Sequence, residues 1–311
     1  MTTDSAIQEI LSSIRMHSQV LHDPDVAHVV IDHNRVLSSH LLPGLEVDVN
    51  ELAEGIEAHI RLADGAVIDK RVHFCFGMVP KEGIQRIGMN IDLGEQSRVA
   101  IQAHCTFPNA MDIQHLMDAN IKVGPGAVYD YFERHVHGPS GGVTVVPKAK
   151  VELGDKSKFK TEFELISGRA GDIDIEYETT CGAYSVMEMT ARITGAGDDL
   201  IKIKEIGHLL GEGARGALTT KIAVKDQARA EVYNKLTASA AYALGHVDCK
   251  EVVQDQATAS AIPIVEVNHP KAHVTHEAAI GSVDTKQMET LMARGLDEDT
   301  ASDLIIQGML S

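Results

Sequence analysis

Leu93-Gly94-Glu95-Gln96-Ser97, Val123-Gly124-Pro125-Gly126-Ala127 and Leu153-Gly154-Asp155-Lys156-Ser157 are three copies of one corner, 30 residues apart. In each, an apolar residue closes a β-type run, a turn follows, and a small residue opens the next run. Moving outward, the corner recurs at Ala63-Asp64-Gly65-Ala66-Val67 and at Cys181-Gly182-Ala183-Tyr184-Ser185. Later copies are Gly211-Glu212-Gly213-Ala214, Lys225-Asp226-Gln227-Ala228, Gln254-Asp255-Gln256-Ala257 and His269-Pro270-Lys271-Ala272. The small residues fall at 66, 97, 127, 157, 185, 214, 228, 257 and 272, so the half-unit is close to 15 residues. A near-fixed period without intervening helices predicts a β-solenoid, each coil burying its apolar face against the next. A β-sandwich also spaces its strands regularly, but its loops seldom keep so constant a length. Aromatic residues make up only 4 % of the chain, which suits a narrow core of Val, Ile, Leu and Ala.

The two ends read as helix. Ala6, Ile7, Ile10, Leu11 and Ile14 recur at helical spacing behind a Ser5/Gln8 capping-box pair. At the other end Asp284 with Gln287 starts a helix whose apolar face is Met288, Leu291, Met292 and Leu296, with Gly295 near its close. Asp297 is the N-cap candidate of a second helix with the stripe Ala301, Leu304, Ile305 and Met309. The expected layout is an N-terminal helix and lead-in strands over 1–58, a β-helix core over 59–281 and a helical segment over 282–311. That last segment is read either as a cap on the open end of the solenoid or as a docking surface for another protein.

The 311 residues include 28 basic and 45 acidic side chains, a net charge of −17. A field of that sign repels nucleic acid and anionic lipid. The absence of tryptophan argues against base-stacking platforms and aromatic sugar clefts. No apolar run is long enough to span a bilayer, and Met-Thr-Thr-Asp-Ser lacks the marks of a signal peptide. Four cysteines, at 75, 105, 181 and 249, are too sparse for a disulfide framework, so a cytoplasmic protein with reduced thiols is expected. Gly211–Gly216 lacks the Lys-Ser/Thr of a phosphate loop, and Gly138-Pro139-Ser140-Gly141-Gly142 precedes a strand-like run rather than the helix of a nucleophile elbow. Both are read as turns.

Cysteine and histidine hold the chemical signal. Cys75 and Cys105 are 30 residues apart, one full period, and equal positions in neighbouring coils stack about 4.8 Å apart. Two thiolates so placed could share a soft metal or a persulfide; two small core residues would give the same spacing. Cys249 precedes His276 and Glu277 by 27 and 28 residues, again about one turn. Thiolate, imidazole and carboxylate together suit iron better than calcium or magnesium. Neighbours on a strand face opposite ways, so His276 and Glu277 join one site only if the strand ends or bulges there. His135 and His137 share a strand face, as a zinc pair or as a solvated His-rich strand. Cys181 sits at a turn and carries no functional expectation.

With these residues in view, the C-terminal region resembles the SufB/SufD scaffold proteins of iron–sulfur cluster assembly. The resemblance rests on His246-Val247-Asp248-Cys249, on Ala261 through Val267, on Ala272-His273-Val274-Thr275-His276-Glu277-Ala278, and on the tail from Gly281 through Leu291-Met292-Ala293-Arg294-Gly295-Leu296 to Ala301. It is specific over 246–311 and looser over the repeats from about 60. It implies a right-handed parallel β-helix ending in helices, with Cys249, His276 and Glu277 building the cluster, and Cys75 and Cys105 as further candidates. It also implies an ABC-type, SufC-like ATPase docked on the C-terminal helices, at Met288, Leu291, Met292, Arg294, Leu304 and Ile305. The chain is shorter than bacterial SufB and resembles compact archaeal homologues. His and Glu at 276 and 277 follow the SufB pattern, so one chain is expected to form a homodimer through the β-helix. A [4Fe-4S] cluster is expected ahead of [2Fe-2S], received with the help of a sulfur donor and passed to acceptor apoproteins. The alternatives are a β-helical zinc-dependent hydrolase using His135, His137 and nearby acids, and a purely structural ATPase adaptor.

Overall fold

The computed structural model describes residues 3–310. Sixteen strands, from Gly55–Leu62 to His273–Gly281, alternate strictly between two sheets, so two strands make a turn and the solenoid has eight turns. Within each sheet these strands pair parallel with the strand one coil before and one coil after. Parallel pairing is what removes the sandwich reading, since sandwich sheets are antiparallel. The first turn is closed by two antiparallel pairings, His28–Asp32 with Arg35–His40 and Leu45–Leu52 with Gly55–Leu62.

The corners explain the repeat. The N–H of Ser97, Ala127, Ser157, Ser185, Ala214 and Ala257 each donates to the carbonyl three residues back, closing a tight turn. The small side chain then points inward, fully buried at Ala127, Ser157, Ser185 and Ala214. The glycine that opens the corner lies against the backbone of the preceding coil. A Cβ at Gly124 would fall 2.6 Å from the Leu93 carbonyl oxygen, and one at Gly211 would fall 2.1 Å from the Ala183 nitrogen. Between corners, strands alternate buried and exposed residues along most of their length, as in Asp112–Val123 and Asp172–Cys181. The inward set forms one continuous core from Ala27 to Ala257.

Helix α1 (Thr3–Ser13) packs on the outside of the ten-stranded sheet, where Ile10 meets Val30, Cys75 and Val79. Gly77 makes room for it, since a Cβ there would lie 2.4 Å from Ile10 Cδ1. Helix α2 (Thr285–Met292) is capped by Asp284, whose side chain accepts from the Gln287 N–H, as the pattern predicts. Asp297 likewise accepts from the Thr300 N–H at the start of α3 (Glu298–Leu310). The position of this pair corrects the capping expectation. α3 lies along the outer face of the ten-stranded sheet, where Ile306 and Leu310 meet Ala223, Val252 and Val283, and Arg192 Nη1 donates to the Leu310 carbonyl. Among the described residues nothing covers the open end, where the last two strands are exposed or half-buried along their whole length. The buried stripe of α3 is Ala301, Ser302, Ile306 and Leu310, rotated from the predicted one, and Leu304 is 48 % exposed.

One buried carboxylate ties two corners together. Asp199 accepts from Arg169 Nε at 2.9 Å and from the backbone N–H groups of Ala170, Gly171 and Ala196 at 2.9, 3.0 and 2.8 Å. Asp199→Ala orphans those donors, at roughly 1–3 kcal/mol for each buried group left unpaired. A loss of at least about 3 kcal/mol is expected, read as a lowered denaturant midpoint and melting temperature with native secondary structure retained below the transition.

Candidate functional site

Among the described residues, inward polar side chains that could carry chemistry gather in two groups. The first lies in the N-terminal half. Strands Arg98–Phe107 and Val128–His137 stack in register, so Cys105 sits opposite His135, Ala103 opposite Glu133 and Phe107 opposite His137. The opposite wall contributes Gln85 and His115, themselves a register pair. All six polar side chains here, Gln85, Cys105, His115, Glu133, His135 and His137, are buried.

The hydrogen bonds fix the tautomers. Gln85 Nε2 donates to the carbonyls of His33 and Gly77, at 2.7 and 3.1 Å, so its Oε1 faces His115. His115 therefore donates from Nδ1 to that oxygen, at 2.9 Å, and its Nε2 is a bare lone pair with no partner. His137 Nδ1 donates to the Arg169 carbonyl, which makes His137 Nε2 the acceptor of the His135 Nδ1–H at 3.2 Å. His135 Nε2 then accepts from Glu133 Oε1, 2.7 Å away, and Cys105 Sγ lies 3.8 Å from the same oxygen. The electrostatics agree with a neutral assembly. Burial pushes the Glu133 carboxyl up to about 7 and holds His115, His135 and His137 down at about 3. Burial also pushes the Cys105 thiol well up, with Glu133 adding to the effect.

The second group lies near the open end. Cys249 faces inward and is fully buried, with Asn234 Nδ2 3.7 Å from its Sγ and donating to Thr220 Oγ1 at 2.8 Å. Burial, with Glu251 second, pushes its thiol up to about 12. Glu251 lies two residues along on the same face, buried, with neither carboxylate oxygen hydrogen-bonded. Burial holds it up at about 7, and Glu205, deeper inside, at about 8.

The structure sorts the sequence-predicted residues into separate places. The coil containing Cys75 is one residue short of the 30-residue period: Cys75 pairs with His104, and Phe76 with Cys105. Cys105 therefore faces the core while Cys75 faces outward beneath α1, and the two do not stack. Burial pushes the Cys75 thiol up to about 12. Strands Leu244–Val253 and His273–Gly281 pair 29 residues apart without a bulge, Val247 opposite His276 and Asp248 opposite Glu277. His276 thus shares the inward face of Cys249, and Glu277 lies on the other face. The carboxylate on the side of Cys249 is Glu251. Cys105 and Cys249 are five coils apart along one sheet, about 24 Å at the strand spacing, too far to hold one cluster. His135 and His137 are not on a solvated strand but sealed inside, where no substrate of a hydrolase could reach them. Cys181 is a core residue. Glu133, His115 and Glu251 went unnoticed in the sequence, although 105 and 135 are one full period apart.

Residues 81–309 match the family described as SUF system FeS cluster assembly, SufBD core domain. The chain belongs to the SufBD family. It is 34 % identical over 315 residues to an iron–sulfur cluster assembly SufBD family protein of Methanocaldococcus jannaschii, covering all of this chain and 99 % of that one. A second such protein, from Pyrococcus horikoshii, is 33 % identical over 285 residues, 92 % of this chain and 87 % of the relative. A third, from Archaeoglobus fulgidus, is 23 % identical over 256 residues, covering 81 % and 67 %. The archaeal resemblance and the family expected from the C-terminal motifs are both borne out. This SufBD protein works in iron–sulfur cluster assembly, and among its described residues no helix is long and apolar enough to cross a membrane.

The buried carboxyl of Glu205 sets a pH signature. Its folded value, near 8, lies above the ordinary 4.5, so the folded state binds the proton more tightly than the unfolded chain. Its stability contribution is intact below about pH 4.5 and is lost as pH rises through about 8. Glu205→Gln removes that dependence. The melting temperature of the variant relative to wild type is expected to climb steadily between pH 5 and pH 8; a flat difference would deny the shift.

Proposed function

We propose that this SufBD protein is a scaffold on which an iron–sulfur cluster is assembled and from which it is transferred, with Cys249, His276 and Glu277 as its working residues. The observation that supports this most is the common inward face of Cys249 and His276 at the last, uncovered coil. Thiolate supplies affinity for iron, and imidazole or carboxylate leaves an iron labile enough to hand on. Glu251, buried beside Cys249 without a hydrogen bond, adds a carboxylate to that face. Glu277, on the opposite face near Lys250, stands ready for iron arriving from outside.

The thiol is sealed in the isolated chain, so iron and sulfide need the last coil to move. Strand His273–Gly281 is exposed along nearly its whole length and runs straight into α2. α2 buries none of its residues, and Met292 on it is 42 % exposed. A SufC-like ABC ATPase gripping Met288, Leu291, Met292, Arg294, Leu304 and Ile305 would therefore pull on the strand that covers Cys249. Methionine-rich helix faces adapt to a partner groove. The free edges at Thr258–Val267 and His273–Gly281, with Ile262, Val267 and Ile280 exposed, favour a homodimer through this end of the β-helix. A sulfur donor and acceptor apoproteins complete the cycle, outside membranes and without nucleic acid.

Two experiments test this reading. After anaerobic reconstitution the wild-type protein is expected to hold acid-labile sulfide, four per cluster for [4Fe-4S] and two for [2Fe-2S], with at least as much iron, and Cys249→Ala to lose the sulfide-bearing chromophore while keeping its β-rich fold. Unchanged sulfide in Cys249→Ala would remove that residue from the site. For docking, Met292→Asp and Leu304→Asp place charges on exposed positions, so melting temperature should move by no more than the usual surface effect of about 0.5 kcal/mol. Co-purification with the ATPase should nevertheless be lost, and retained binding would deny the surface.

A further inference from the structure

Cys105, His115 and His135 present one ligand atom each within 4.8 Å of one another, all buried. Tetrahedral coordination of zinc, at about 2.3 Å to sulfur and 2.0–2.1 Å to nitrogen, needs edges of roughly 3.5 Å, a change within reach of small side-chain rotations. Glu133 Oε1 stands 2.7 Å from His135 Nε2 and 3.8 Å from Cys105 Sγ, beside two of these three ligands. We infer that Cys105, His115, His135 and Glu133 bind one divalent transition-metal ion, zinc or ferrous iron, inside the solenoid and apart from any cluster at Cys249.

The outer hydrogen bonds already orient the ligands. Gln85 holds the His115 proton on Nδ1, which leaves Nε2 as a fully buried lone pair with no partner. A hydrogen-bonded core cluster would have satisfied that atom, because an unpaired buried acceptor is costly. His137, anchored on the Arg169 carbonyl, holds the His135 proton on Nδ1 and keeps its Nε2 turned to Glu133. Metal-ligating histidines characteristically give their second nitrogen to such a partner. The rings are also walled: Phe163 lies 4.6 Å from His135 and Phe107 5.0 Å from His115, centroid to centroid. The charge balances without any redox step. A dication entering displaces the thiol proton of Cys105 and the carboxyl proton shared by Glu133 and His135, both of which leave to solvent, and the interior stays neutral. One sulfur, two imidazoles and one carboxylate match zinc or iron and not magnesium or calcium, which require mostly oxygen.

The test uses the full chain carrying Cys249→Ala, so that cluster iron at the open end is absent, produced in medium holding both metals and dialysed against EDTA. Expected is about one zinc or iron per chain with no acid-labile sulfide, retained against the chelator and released in guanidinium. Elemental analysis names the ion. Adding Cys105→Ser or His115→Gln should cut retained metal at least about tenfold while circular dichroism stays β-rich. Protein grown in cobalt should show a thiolate-to-cobalt charge-transfer band that Cys105→Ser lacks. Metal-free protein after EDTA, or equal metal with Cys105→Ser or His115→Gln present, would overturn the site. The first readout needs neither added variant, so a folding failure in one of them leaves the test intact. Sulfide content in the chain with Cys249 restored tests the cluster reading separately.

Discussion

The spacing of one coil above the next governs everything else in this molecule. Parallel strands hydrogen-bond in near-continuous register through eight turns, and the corners allow it only because Gly124 and Gly211 bring backbone against backbone. That contact fixes which residues share a face. A coil one residue shorter turns a neighbour from core to surface, as Cys75 and Cys105 demonstrate. Chemistry inside the solenoid is therefore a matter of register before it is a matter of residue type.

The same constraint explains how polar groups survive in the core. Buried between two opposed sheets, Gln85, His115, Glu133, His135 and His137 exchange hydrogen bonds among themselves and with main-chain carbonyls. Desolvation then sets the protonation states, raising the carboxyls and thiols and lowering the imidazoles. Near the open end the network is thinner: Cys249 has Asn234, and Glu251 has nothing. The closed cluster is preorganised, and the open one is adaptable.

Much of this was readable from residues alone. The corner motif with its small buried residue gave the solenoid, and Asp284 and Asp297 marked the helix starts because capping is a local interaction. Where tertiary register or packing decides, the reading fell short. The period is 30 at one coil and 29 at another, and that single residue undid the stacking of Cys75 on Cys105. His135 and His137 look solvated by composition, yet strand alternation turns them inward beside Phe163. The helical stripe of α3 was displaced because Ala223 and Val252, on a surface no local pattern reveals, select which side is buried. Glu251 stays invisible as a site residue until the register of Leu244–Val253 is known.

The two ends of the stack are not equivalent. At the N-terminal end the last strand of each sheet runs antiparallel to its neighbour, and Leu45–Leu52 presents Glu46, Asp48 and Glu51. At the C-terminal end both sheets stop on parallel strands with apolar residues uncovered. A rod built of repeats would ordinarily risk growing head to tail without limit. Here the two ends differ in strand direction and in side-chain character, so stacking one on the other does not continue the parallel ladder. Contact between two C-terminal ends would be two-fold and would use up the apolar edge of both copies, so the polarity of the rod disfavours an open filament.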